Sequence, residues 1–95
     1  MRINGIIWLE TVVDKLHRKH RVTTDEVEEV LSGKPSLRRM EAGDVQGEDL
    51  YAALGRAGSG RHLVVFFVLK RDGDALVVSA RDMAPKERRL YGRKG

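Results

Sequence analysis

The residue pattern predicts an α+β domain with N-terminal helices, an antiparallel β-sheet and a C-terminal helix. Three observations carry that expectation. Apolar residues near the N-terminus recur every three or four positions, residues 63–69 (LVVFFVL) form an unbroken apolar run, and Pro85 opens a basic stretch with helical spacing. Ninety-five residues suit one domain over 1–95, because a smaller unit buries too little surface to be stable.

Taken in order, Ile6, Ile7 and Trp8 read as a short opening strand or apolar lead-in. Leu9, Val12, Val13, Leu16 and His20 then make the stripe of an amphipathic helix. Thr23 and Glu26 have capping-box spacing at the start of a second helix, whose buried face is Val27, Val30 and Leu31. Gly33 offers that helix a left-handed stop, and Pro35 prevents its continuation. Residues 37–40 suggest an edge strand, and Gly43-Asp44 with Gly47 a turn. Residues 50–56 alternate as a strand, and the glycine-rich GRAGSG (55–60) provides a turn into 63–69, a strand buried on both faces. Asp72-Gly73 signals a hairpin into a returning strand over 76–80. The last helix is expected from Pro85 to about Tyr91, with residues 92–95 as a flexible tail.

Composition removes several classes of function. The chain has no cysteine, so disulfide frameworks, thiolate metal sites and cysteine nucleophiles are excluded. The apolar patch near the N-terminus is short and broken by Glu10 and Asp14, unlike a secretory signal, and no stretch reaches membrane-spanning length. A cytoplasmic protein with no membrane partner is expected. Charge is unevenly placed. Of eighteen cations and fourteen anions, six and two lie from Arg81 onward, leaving twelve of each before it. Such a basic cluster draws polyanions by Coulomb steering and counterion release, which points to nucleic acid.

His17 and His20 stand three apart on the first helix, but no third ligand lies at a matching offset and His62 is far along the chain, so no metal site is expected. GRAGSG precedes a strand and not a helix, which suits a hairpin turn and not a phosphate loop. Asp44, Glu48 and Asp49 read as a solvated loop. The richer constellation is C-terminal. Arg81 ends the returning strand and, by simple alternation, shares a face with Val77 and Ser79. Glu87, Arg88 and Tyr91 lie within one helical turn of one another, while Arg56 and Arg61 flank the glycine-rich turn. Arginines that grip phosphate, a tyrosine that stacks on a base, and Glu87 or a histidine as proton acceptor would suffice for RNA cleavage by the nucleotide's own 2′-hydroxyl, without a cofactor.

Three segments, in order, resemble the BrnT family of type II toxins, ribonucleases with a RelE-like fold. RKHRVTTDEVEEVL (18–31) is similar to that family's basic, Lys-His-containing run before an acidic helix. ALGRAGSGRHLVVFFVL (53–69) is similar to its Gly-Arg, turn and central strand, and VVSARDMAPKERRLY (77–91) to its Ser-Ala-Arg stretch and final helix. The resemblance implies a toxin that cleaves RNA to arrest growth, held inactive in a hetero-oligomer by a cognate, DNA-binding antitoxin encoded next door. Carried over by position, Arg56, Arg81, Glu87, Arg88, Tyr91 and His20 become the expected catalytic set, with Arg61, Lys86 and Arg89 contacting RNA. The chain departs from the family at Arg21, where glycine is usual, in the loop around Asp44, and at Leu76 and Val77, where a basic residue is frequent. A non-catalytic RNA- or antitoxin-binding module is the alternative.

Overall fold

A three-residue strand, β1 (Gly5–Ile7), opens the chain in this computed structural model, which describes residues 3–41 and 48–94. Helix α1 (Glu10–Lys15) runs without a break into a π-helical turn over Leu16–His20, and α2 (Thr24–Ser32) follows. Four strands come next: β2 (Ser36–Glu41), β3 (Leu50–Arg56), β4 (His62–Leu69) and β5 (Asp74–Asp82). Helix α3 (Pro85–Lys94) ends the described chain. No helix among the described residues is long and apolar enough to cross a membrane.

The fold class is the expected α+β one, with two corrections to the sheet and the order of elements. The strand order is β1-β5-β4-β3-β2, and β1 pairs parallel to β5, so the sheet is mixed and a strand precedes the helices. Asn4 brings β1 to that edge. Its backbone N–H donates to the Gly73 carbonyl at 2.9 Å and its side-chain amide to the Asp72 carbonyl at 2.8 Å, both on the β4–β5 turn. A parallel partner needs a long crossover, and the two helices with three strands supply it.

One face of the sheet carries the main core. Leu16, Val22, Val27 and Val30 from the helical layer pack on Ala53, Leu63, Val65, Phe67, Ala75, Val77 and Ala80. Helix α2 lies across β3 and β4, and α1 with its π turn lies across β5. The approach of α2 is close because Gly55 has no side chain; a Cβ there would stand 2.8 Å from Val30 Cγ1. Central strand β4 is buried on both sides, as its composition demands: Leu63, Val65 and Phe67 face the main core and Val64 the smaller cluster behind it.

The Thr23 capping box is present. Thr23 Oγ1 accepts the Glu26 N–H at 3.1 Å, and Glu26 Oε1 accepts the Thr23 N–H at 3.0 Å. Two other helix-end expectations change. Gly33 ends α2 with φ −76° and ψ −148°, not in the left-handed region. The left-handed cap lies one helix earlier, at Arg21 (φ 52°, ψ 39°), the position where the family resemblance implied glycine. A side chain in that conformation costs about 1–2 kcal/mol, partly offset because glycine frees the unfolded chain by about 0.5–1 kcal/mol. Arg21→Gly is therefore expected to stabilise the fold by up to about 1 kcal/mol in a thermal melt. A clear loss would show that the Arg21 side chain itself holds the turn.

The expected tail is also corrected: α3 continues through Gly92 to Lys94. A glycine lowers helix stability without ending it, and Gly92 faces open space. The turn expected at Gly43-Asp44 and Gly47, and the carboxylate of Asp44, fall outside the described residues.

Candidate active site

The second face of the sheet is only partly covered. Ala52, Leu54, Val64 and Met83 form a small buried cluster there, with Phe66 and Tyr91 packed against it. Helix α3 lies over this face and reaches β3. Beside the helix a pocket of about 210 Å³ is floored by Leu54, Val64 and Phe66 and walled by Arg38, Arg81 and Glu87.

Register decides which side chains project here. Arg81 pairs with Val64, Arg38 with Ala52, and Arg56 with His62. The alternation that placed Arg81 on one face with Val77 fails, because β5 carries a bulge: Phe66 pairs with Ser79, but Phe67 pairs with Val77. The extra residue, Val78, turns outward at 36% exposure. Val77 therefore stays in the main core while Ser79 and Arg81 lie on the opposite face. Strand β5 also runs two residues past the expected end, which brings Arg81 and Asp82 into the sheet.

Arg81 is the best-fixed cation of the site. Its Nη1 and Nη2 donate to Glu87 Oε1 and Oε2 at 2.7 and 2.9 Å, and Nη1 also donates to the Asp82 carbonyl at 3.1 Å. Its guanidinium lies 5.4 Å from the centre of the Phe66 ring. Glu87 is held from a third direction, since the Ala84 N–H donates to Oε1 at 2.7 Å and ties the carboxylate to the start of α3. The Arg81 guanidinium, ahead of that backbone donor, holds the Glu87 carboxyl below the usual carboxylate range, while Glu87 raises Arg81. Glu87 is thus a weak base and a firm clamp.

One turn further along α3, the Tyr91 ring meets His62 edge to face, with centroids 5.9 Å apart and planes at 78°. Burial first, then the charges of Arg88 and Arg56, push the His62 imidazole below its ordinary pKa. Arg56 is exposed, and its Nε donates to the Gly60 carbonyl at 3.3 Å across the hairpin turn. Gly60 permits that turn with φ +94°. Lys86, Arg88 and Arg89 are exposed on α3.

Two expected site residues lie elsewhere. Arg61 is on the helix side of the sheet, where its five N–H groups all have partners. Its Nε and Nη2 grip Asp82 at 2.6 and 3.1 Å, Nη2 and Nη1 donate to the His20 and Arg21 carbonyls at 2.6 Å each, and Nη1 reaches Glu26 at 3.4 Å. That is a structural staple, with no donor left for RNA. His20 ends the π turn on the same side, its carbonyl taken by Arg61.

Arg38 and His62 were not among the expected residues. The signal for His62 was present: a turn over GRAGSG closes with Arg56 opposite His62, so both must share a face. Arg38 carried a weaker signal, an edge strand whose alternation was ambiguous. Its Nε is buried and has no hydrogen-bond partner among the described residues. Among the described residues no three potential metal ligands come together.

A patch of cations around a narrow apolar floor, one of them locked in a bidentate pair, is suited to a phosphodiester and an unstacked base. A family described as the ribonuclease toxin BrnT of type II toxin–antitoxin systems matches residues 8–87. No curated protein matches the chain significantly. The matched span runs from Trp8, ahead of α1, through the sheet to Glu87, and so contains the helical layer, the arginine-bearing face and the carboxylate that clamps Arg81. The chain belongs to the BrnT family of ribonuclease toxins of type II toxin–antitoxin systems.

Proposed function

We propose that the chain is a metal-independent endoribonuclease that cuts RNA on the second sheet face, arrests growth in the cytoplasm, and is neutralised by a cognate antitoxin. The observation that carries the reading is Arg81, held by both oxygens of Glu87 on the same face as Arg56 and Arg38. A scissile phosphate gains negative charge as it is attacked, and cations already positioned need not reorganise to meet it. Arg81 and Arg56 grip the phosphate. Tyr91 positions a base or the leaving group. Exposed Lys86, Arg88 and Arg89 extend the positive surface to flanking phosphates. Glu87 acts through Arg81 as a positioning residue, because its three accepted hydrogen bonds weaken it as a base.

The antitoxin is read as the product of a neighbouring gene, a DNA-binding protein that forms a hetero-oligomer with this chain. Purified protein incubated with single-stranded RNA tests the catalytic reading. It should leave 2′,3′-cyclic phosphate and 5′-hydroxyl ends, work undiminished in excess EDTA, and spare RNA with a 2′-deoxy group at the cut. RNA that is bound but stays intact would identify a non-catalytic binding module instead. Co-expression of the adjacent reading frame should restore growth and co-purify with the chain.

A further inference from the structure

We infer that His62 is the proton acceptor for the attacking 2′-hydroxyl, an assignment that rests on the ribonuclease reading above. The other expected acceptors are poorly placed. Glu87 is engaged by two guanidinium nitrogens and a backbone N–H, and His20 lies on the helix side of the sheet.

His62 stands where a base is needed. It pairs directly with Arg56 on β3, and Arg81 on β5 pairs with Val64, two residues along the same face from His62. Directly paired side chains stand about 5 Å apart at Cβ and diagonal ones about 7–8 Å. His62 therefore lies on the strand between the two that carry the arginines proposed to hold the phosphate, on their shared face, and the 2′-oxygen is the ribose group next to that phosphate. The ring is also oriented. Tyr91 packs edge-on against it, and the His62 carbonyl accepts the Met83 N–H at 3.1 Å, which fixes the strand beneath.

The surrounding charges favour a neutral ring. Arg56 faces it from β3, Arg81 lies diagonally on β5, and Arg88 and Tyr91 face it from α3, while the Glu87 charge is matched by Arg81. A neutral imidazole can accept a proton at neutral pH. The imidazolium that forms is disfavoured by the arginines alone, but the phosphate bound between them supplies the compensating negative charge.

The 2′-O–H proton passes to the free imidazole nitrogen, and the 2′-oxygen forms a bond to phosphorus. The bond from phosphorus to the 5′-oxygen breaks, and that oxygen takes a proton from solvent. A 2′,3′-cyclic phosphate and a 5′-hydroxyl result, and the imidazolium returns its proton to solvent.

His62→Gln tests the assignment in the same RNA assay, alongside Arg81→Ala. The expected result is a kcat about 10²–10⁴-fold lower with KM within a few-fold, and an unchanged thermal melt. Wild-type kcat/KM should fall on acidification below the ordinary imidazole pKa, and the variant should lose that acidic limb. His62→Ala, which removes the ring, should regain activity with added imidazole. His62→Gln with kcat within a few-fold of wild type, a retained acidic limb, or no imidazole rescue of His62→Ala overturns the inference. If Arg81→Ala is inactive in that case, the ribonuclease reading survives. If both variants cut like wild type, or wild type leaves RNA intact, that reading falls as well.

Discussion

Arg81→Ala is expected to lower kcat for RNA cleavage by about 10²–10³-fold, the usual cost of removing one preorganised donor from a developing oxyanion. KM should move less, because Arg56 and the exposed cations of α3 still attract the substrate backbone. Cells expressing the variant should grow where the wild-type chain arrests them. The fold should be little affected. The Arg81 and Glu87 side chains are 38% and 25% exposed, so solvent screens the pair, and Glu87 keeps its backbone donor at Ala84. A loss of about 1 kcal/mol or less is expected. Arg81→Lys should fall between, since a point charge lacks the fork that engages both Glu87 oxygens and the flat surface that lies on Phe66. Cleavage by Arg81→Ala within threefold of wild type would remove Arg81 from the site.

Arg61→Ala is expected to have the largest effect on stability, about 1–2 kcal/mol, because its hydrogen bonds to the His20 and Arg21 carbonyls and to half-buried Glu26 are lost together, while the exposed Asp82 adds little. That is a large fraction of the ordinary stability of a domain this size. The guanidinium joins the start of β4 to the end of β5 through Asp82, and both to the connection between the first two helices through the His20 and Arg21 carbonyls. Those carbonyls belong to the turn that carries the left-handed Arg21 and feeds Val22 into the core. Arg61→Lys should recover less than half, since one ammonium cannot span four partners.

The staple also predicts a pH dependence with a definite sign. The hydrogen bond and charge of Arg61 hold the Asp82 carboxyl below its ordinary range. A carboxylate with a depressed folded pKa contributes stability above its unfolded pKa and loses that contribution as pH falls through the folded value. Wild-type stability should therefore drop on acidification below about pH 4, and Arg61→Ala should show a shallower drop in that window. A urea titration at several acidic pH values reads both slopes; parallel slopes would mean that Asp82 is not held by Arg61 in solution.

The elements legible in the residues were those set by near neighbours in the chain. Thr23 and Glu26 reach each other across one helical turn, and the apolar run 63–69 has no alternative to burial on both faces. Turns at Gly60 and Gly73 follow from the positive φ that each requires. That Arg81 stands near the last helix was legible in the same way, because the strand-to-helix connection is short, but its bidentate pairing with Glu87, which was expected to be a proton acceptor, was not. The role of Arg61 was not. A basic residue beside a turn looks the same in sequence whether it faces solvent or donates to two carbonyls forty residues away.

The amino-acid sequence by itself determined the fold class, the second helix and its cap, the central strand, both hairpin turns and the family. Each of these depends on local conformational preference or on a pattern of burial that any folded arrangement must satisfy. Tertiary structure alone decided which arginines share a face. A single bulged residue at Val78 separates Arg81 from Val77, and Arg61 turns into the helical layer to reach Asp82 and the His20 and Arg21 carbonyls. Strand side chains alternate with a period of two, so one inserted residue reverses every assignment beyond it. That insertion is visible only once the strand has a partner.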